Sequence, residues 1–230
     1  MLTVRLWNLI AGDVKFQVKY GFYFIYAILV AVYIFILSLI PSEWKERVAD
    51  VMIFTDPAAI GMFIIGAVVL FDKSQRVLNS LAVSPVKVNE YLISKLVSIG
   101  VLSSFVALVI AFVSPKENYF TLFIGTFLAS VLFTLIGMIV ATKIRSMNQF
   151  IMVIVPFEII IFLPPILHIA GYHNFFLLLH PGVAVMSLIQ GNLSNVFFNL
   201  IILISWILLL SLLACKRVET MFCSIGGGNL

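Results

Sequence analysis

Six runs of apolar residues, separated by short polar segments, leave this 230-residue chain few ways to fold. Roughly 20 apolar residues in a helix cross about 30 Å of hydrocarbon, and inside a bilayer only helices or closed barrels satisfy every backbone group. The runs cover residues 22–40, ended by Pro41, then about 52–71, 91–113, 120–141, 150–170 and 196–215. Charged residues make up 10% of the chain, against about 25% in a soluble domain, so most of its surface faces something other than water. The expectation is an all-α integral membrane protein of six transmembrane helices, a single domain over residues 1–230.

Two further segments read as helical without spanning. In residues 1–20, Arg5, Asn8, Gly12, Lys15 and Lys19 recur at steps of three and four, with Leu2, Leu6, Ile10, Val14 and Val18 opposite them beside Trp7. A basic stripe against a broad apolar face is the pattern of a helix lying in the membrane interface. Asp13 and Gln17 fall on the apolar arc and break its regularity. Residues 171–195, between the fifth and sixth spans, are too polar at their ends to cross and predict helical or re-entrant segments on the outer side, broken at Pro181-Gly182. The N-terminus has no short apolar core followed by a small-residue cleavage site, so no removable leader is expected.

Basic residues set the orientation. With the N-terminus inside, eleven of the 14 Lys and Arg residues fall in inner segments, and only Lys45, Arg47 and Lys116 fall outside. The positive-inside rule then puts both termini in the cytoplasm of a plasma-membrane protein. The net charge of +4 would suit nucleic acid, but the basic residues are strewn between apolar runs rather than gathered on one face, so no nucleic-acid partner is expected. The bilayer is the partner the composition demands.

The longest polar interruption in the first half is residues 72–90. Within it Val77, Leu78, Leu81 and Ala82 recur at helical spacing, with Asp72, Lys73 and Arg76 before them. Pro85 stops the pattern, having no backbone donor and pushing the preceding residue out of helical geometry. That is a short surface helix with one face kept for another protein. The run Asp72-Lys73, Leu78, Leu81-Ala82-Val83-Ser84-Pro85, Tyr91-Leu92 and Lys95 resembles the segment between the second and third spans of ABC-2 exporter permeases. It departs from their pattern with Asp72 where Glu is usual and Arg76-Val77 where Gly-Thr is usual. The resemblance implies that residues 72–90 couple the chain to an ATPase. Leu78, Leu81, Val83, Ser84 and Pro85 would dock in a groove on it, and Asp72, Lys73 and Arg76 would pair with charges at the rim. It also implies a second copy of the chain or a related permease, since six spans are half of the usual twelve. The compact form looks most like small drug-efflux permeases, including fluoroquinolone exporters, with an amphipathic drug, peptide or lipid as cargo. This chain has no Gly-Lys-Ser/Thr phosphate loop. It is therefore expected to bind no cofactor and to act as a transport subunit rather than an enzyme, ATP and Mg belonging to the partner.

Ionisable groups inside spans mark function by default. Asp56, before Pro57, reads either as a cap for a helix starting there or as a group on the substrate path. Glu158 lies between Pro156 and Pro164-Pro165, and reads equally as a contact for a cationic substrate or as a buried group bonded to a carbonyl freed by a proline. Pro164 and Pro165 join the candidate pathway on the same ground. His168, His173 and His180 lack metal-ligand spacing, so no metal is expected. Cys215 and Cys223 read as free thiols. An ATP-independent carrier or channel that uses Asp56 and Glu158 remains an alternative, as does a bacteriocin-immunity membrane protein.

Overall fold

The computed structural model describes residues 2–75, 86–114, 116, 118–172, 174–191 and 195–225. Among them there are helices and no strands. Six helices are long and apolar enough to cross a membrane, so the multi-pass architecture read from the sequence holds.

Helix α1 (Leu2–Lys19) precedes the first span, α2 (Phe22–Leu39). Between them Gly21 takes φ 76°, a left-handed turn that only glycine makes without strain. Pro41 stops α2, and α3 (Ser42–Ile53) starts directly after it. This helix then continues through a π-helical turn (Phe54–Ala58) and, after Ala59, into α4 (Ile60–Ser74). Asp56 therefore lies inside a continuous rod of 33 residues, Ser42–Ser74, and caps no helix start. Pro57 has no N–H for the carbonyl four residues back, and the backbone widens by a residue to absorb the gap rather than ending. At ~1.5 Å per residue the rod is about 50 Å long, well beyond about 30 Å of hydrocarbon. Much of α3 therefore overhangs the slab, and the apolar run from Met52 marks where the crossing begins.

The remaining spans are α5 (Val88–Ala111), α6 (Tyr119–Lys143), α7 (Met147–Ile169) and α10 (Val196–Ile225). Their starts carry the expected chemistry. The Asn118 side chain accepts from the N–H groups of Phe120 and Thr121, and Ser146 from that of Gln149. Helix α10 runs ten residues past Cys215, where a charged pair had suggested an end. Its buried Val218, Met221 and Phe222 extend the packed face, with the Phe222 ring 5.5 Å from that of Tyr91 on α5.

Helices α4, α5 and α6 form the centre, and α2, α7 and α10 surround it with exposed Phe, Ile and Leu. Lipid offers no hydrophobic reward for helix association, so the centre is held by close backbone approach and polar contacts. A Cβ on Gly61 would sit 2.6 Å from Thr134 Oγ1, and Gly137 lies against the Met62 carbonyl. Ser103 and Ser130 share a hydrogen bond of 3.0 Å across the α5–α6 seam. The contacts of α1 and α10 with the start of α5 put both ends of the described chain at one end of the bundle, here called the termini face.

At the opposite, far face the segment 171–195 holds α8 (Phe175–Leu178) and α9 (Pro181–Ile189). Pro181-Gly182 opens α9 rather than breaking a helix: proline suits a first turn, and the His180 side chain accepts from Gly182 N–H. Gly191 lies near Asn118 at the top of α6 and Leu188 against Gly125, so α9 runs antiparallel to α6 with its first residues deep in the bundle. Every residue of α9 except Ser187 is buried. It is re-entrant, as the sequence suggested.

Candidate functional site

The expected coupling segment begins at the last turn of α4. Asp72 is buried there and accepts a 2.9 Å hydrogen bond from Tyr91 Oη on α5, while its carboxylate stands 3.6 Å from Lys95 Nζ. The same ammonium makes a 2.5 Å ion pair with Asp13 of α1. Next to Asp72, Lys73 reaches the C-terminal end of α6 and donates to the carbonyls of Ala141, Thr142 and Ile144 at 2.8, 2.9 and 3.0 Å. A cation suits that position, where unpaired carbonyls concentrate partial negative charge. Asp72 and Lys73 are thus engaged inside the chain and not presented at a rim. Arg76, Leu78, Leu81, Val83, Ser84 and Pro85 lie outside the described residues.

Residues 76–85 are therefore bounded by two rigid roots. The α4 root is tied to α5, α1 and α6 through Asp72 and Lys73. The α5 root begins at Val88 with a capping box: Glu90 Oε2 accepts from Lys87 N–H at 2.9 Å. Asp13 and Gln17, which broke the apolar arc of the first helix, turn out to be its docking groups. Asp13 meets Lys95, and Gln17 Nε2 donates to Ser98 Oγ at 3.1 Å. Trp7, Val4 and Val18 point outward instead. The signal lay in the two polar residues four apart on one face, matched by Lys95 and Ser98 three apart on another.

Deeper in the bundle, the structure brings together the two carboxylates singled out from the sequence. Asp56, in the π turn, and Glu158, on α7, are both half-buried and close enough for their charges to interact. The rings of Phe54, Phe133 and Phe162 pack beside them with centroids 5.1–6.0 Å apart. Neither carboxylate has an ion pair among the described residues.

Pro165, next to Pro164 on α7, has a different neighbour, α9. Pro165 leaves the carbonyl of Ile161 without its N–H four residues on. That oxygen faces Gly182, where a Cβ would stand 2.9 Å from it and 2.8 Å from Pro165 Cγ. The proline thus clears a hydrogen-bond site on α7, and the absent side chain of Gly182 lets α9 close on it. His180, at the same end of α9, is half-buried.

One buried ion pair gave no signal in the sequence. At the far face Lys116 pairs with Asp50, and Glu46 lies 3.6 Å from the same ammonium, which is fully buried. These charges read as an ordinary solvated loop because α3 was not anticipated. Among the described residues no group of His, Cys, Asp and Glu could hold a metal ion.

Comparison with known proteins fits this architecture. The fluoroquinolones export permease proteins of Mycobacterium tuberculosis strains CDC 1551 / Oshkosh and ATCC 25618 / H37Rv are each 27% identical to this chain over 143 residues. The alignment covers 61% of this chain and 60% of each relative. Residues 4–221 match the fluoroquinolones export permease protein family. By that match, which runs from the first helix into the last turns of α10, the chain belongs to the fluoroquinolones export permease protein family.

Proposed function

We propose that this chain is the membrane subunit of an ATP-driven exporter that moves amphipathic drug-like molecules out of the cell. Its partner is a separate ATPase carrying ATP and Mg, and it pairs with a second copy of itself or a related permease. The family membership supports export. The observation that carries the coupling is the pair of rigid roots around residues 76–85. A force on that segment reaches α4 and α6 through Asp72 and Lys73, and α5 and α1 through Lys95 and Asp13. A loop with slack ends would absorb the same push. The distribution of Lys and Arg supports a cytoplasmic termini face, where an ATPase can reach Arg76, Leu78, Leu81, Val83, Ser84 and Pro85. Asp56 and Glu158 then face the path of a cationic or zwitterionic substrate.

The test is reconstitution with the ATPase. Substrate should stimulate ATP hydrolysis, and deleting Leu78–Pro85 should abolish the stimulation while the six-span fold survives. Labelling of a Ser80→Cys variant from outside intact cells would end the reading.

The convergence of Asp56 and Glu158 without a counter-ion among the described residues favours one rival, a proton-coupled carrier. Accumulation driven by a pH gradient in vesicles without ATP, lost in Glu158→Gln, would establish it instead.

A further inference from the structure

Helix α1 presents three flanks where its sequence pattern shows two. Asp13 and Gln17 mark the flank docked on α5, against Lys95 and Ser98. Val4, Trp7 and Val18 form a second and are 63, 69 and 57% exposed. Arg5, Lys15 and Lys19 form a third, and all of them are exposed. At ~100° per residue the apolar and basic flanks are centred about 90° apart, and both turn away from the docked one. Gly12, where an added Cβ would meet nothing within 4 Å, keeps the middle of the basic flank open.

The depth of this helix follows from α2, which has 18 residues. That is about 27 Å at ~1.5 Å each, so about 30 Å of hydrocarbon uses all of them. Phe22 therefore stands at the hydrocarbon edge, and Lys19, three residues earlier, stands level with the lipid headgroups. With α5 on one side, α1 turns its apolar flank toward the acyl chains. The basic flank then points outward from the bundle, in the plane of the headgroup phosphates. Its charge is uncompensated along the helix. The one acid of α1, Asp13, is turned inward onto Lys95, and Asp72 and Glu90 at the adjoining roots of α4 and α5 are buried as well. A zwitterionic headgroup carries its own cation beside the phosphate, whereas a headgroup of net negative charge leaves the phosphate for the protein to match.

We propose that the outward side of α1 is a docking surface for anionic phospholipids of the leaflet at the termini face. Val4, Trp7 and Val18 enter the acyl boundary, and Arg5, Lys15 and Lys19 hold the headgroup phosphates. Because Asp13 fastens the same helix to Lys95, whose ammonium also faces Asp72, a bound lipid braces the root of residues 76–85 from outside the bundle. The surface stands apart from the export reading, since lipid binding is measured without transport.

The experiment uses the full chain in phosphatidylcholine bilayers, with Trp44→Phe and Trp206→Phe leaving Trp7 as the single tryptophan. Phosphatidylglycerol with bromine-labelled acyl chains, added as a small fraction of the lipid, should quench Trp7 more strongly than labelled phosphatidylcholine at the same fraction. Lys15→Gln together with Lys19→Gln should cut that preference by about 2–5-fold for each lysine removed. Added salt should weaken it in the parent, and Lys15→Arg with Lys19→Arg should preserve it. Both lysines are exposed, and the docking groups Asp13 and Gln17 stay in place, so these variants keep the fold. Equal quenching by the two labelled lipids, or a preference that the Gln variant retains, overturns the proposal. So does a Trp7 that neither lipid quenches, which would mean that another protein surface, such as a second copy of the chain, covers α1.

Discussion

Replacing Lys95 with Met should be among the most damaging single changes in the chain. The ammonium serves Asp13 at 2.5 Å and Asp72 at 3.6 Å, and the three side chains are 9, 12 and 7% exposed. Removing it leaves two carboxylates buried without a counter-ion among the described residues, and breaking such a pair from one side costs about 3–5 kcal/mol. Little screening reduces that figure at this depth. The penalty comes from the orphaned charges rather than the lost attraction, so neutralising them should recover most of it. Lys95→Met combined with Asp13→Asn and Asp72→Asn should return to within about 2 kcal/mol of the parent, since the amide oxygen put in place of the Asp72 carboxylate can still accept from Tyr91 Oη. Equilibrium unfolding in mixed micelles, read by helicity, measures both variants. A loss below about 1 kcal/mol for Lys95→Met, or no recovery in the triple variant, would refute the account of the clamp.

Other consequences are simpler to check. Lys73→Met removes three charge-assisted bonds to the end of α6 and should cost about 1–2 kcal/mol by the same unfolding measurement, the partial exposure of the lysine limiting the loss. Gly137→Ala pushes a methyl into the Met62 carbonyl and should destabilise by about 1–3 kcal/mol, because backbone cannot rotate away as a side chain can. In a transporting preparation, Glu158→Gln should weaken export of a cationic substrate more than of a neutral one, measured as efflux from loaded cells.

The spans were legible because hydrocarbon thickness dictates the length of any helix that crosses it. Residues 22–40 became Phe22–Leu39 and residues 120–141 became Tyr119–Lys143, each stopped by a proline or a polar pair. What escaped the sequence was helix without hydrophobicity. Glu43, Lys45, Glu46 and Arg47 looked like a loop, yet nothing between Pro41 and Pro57 forbids a helix, and α3 forms there. The Asp56-Pro57 step read as a start because a missing N–H usually ends a ladder, and a π turn is a rarer way to accommodate it. The two intramembrane carboxylates could be named one at a time, but their proximity depends on how α3–α4 and α7 cross. Asp13 and Gln17 looked like errors in an apolar face until Lys95 and Ser98 appeared opposite.

Three prolines in one membrane helix leave a mechanical trace. Met152, Ile160 and Ile161 of α7 each lack the N–H that would ordinarily close the next turn, so this rod is stitched more loosely along its axis than its neighbours, and it lies on the outside of the bundle, where few side chains brace it. Amide exchange should therefore run faster along α7 than along α5 or α6. Because Ile161 meets Gly182, any flexing of that rod tugs directly on the first turn of α9.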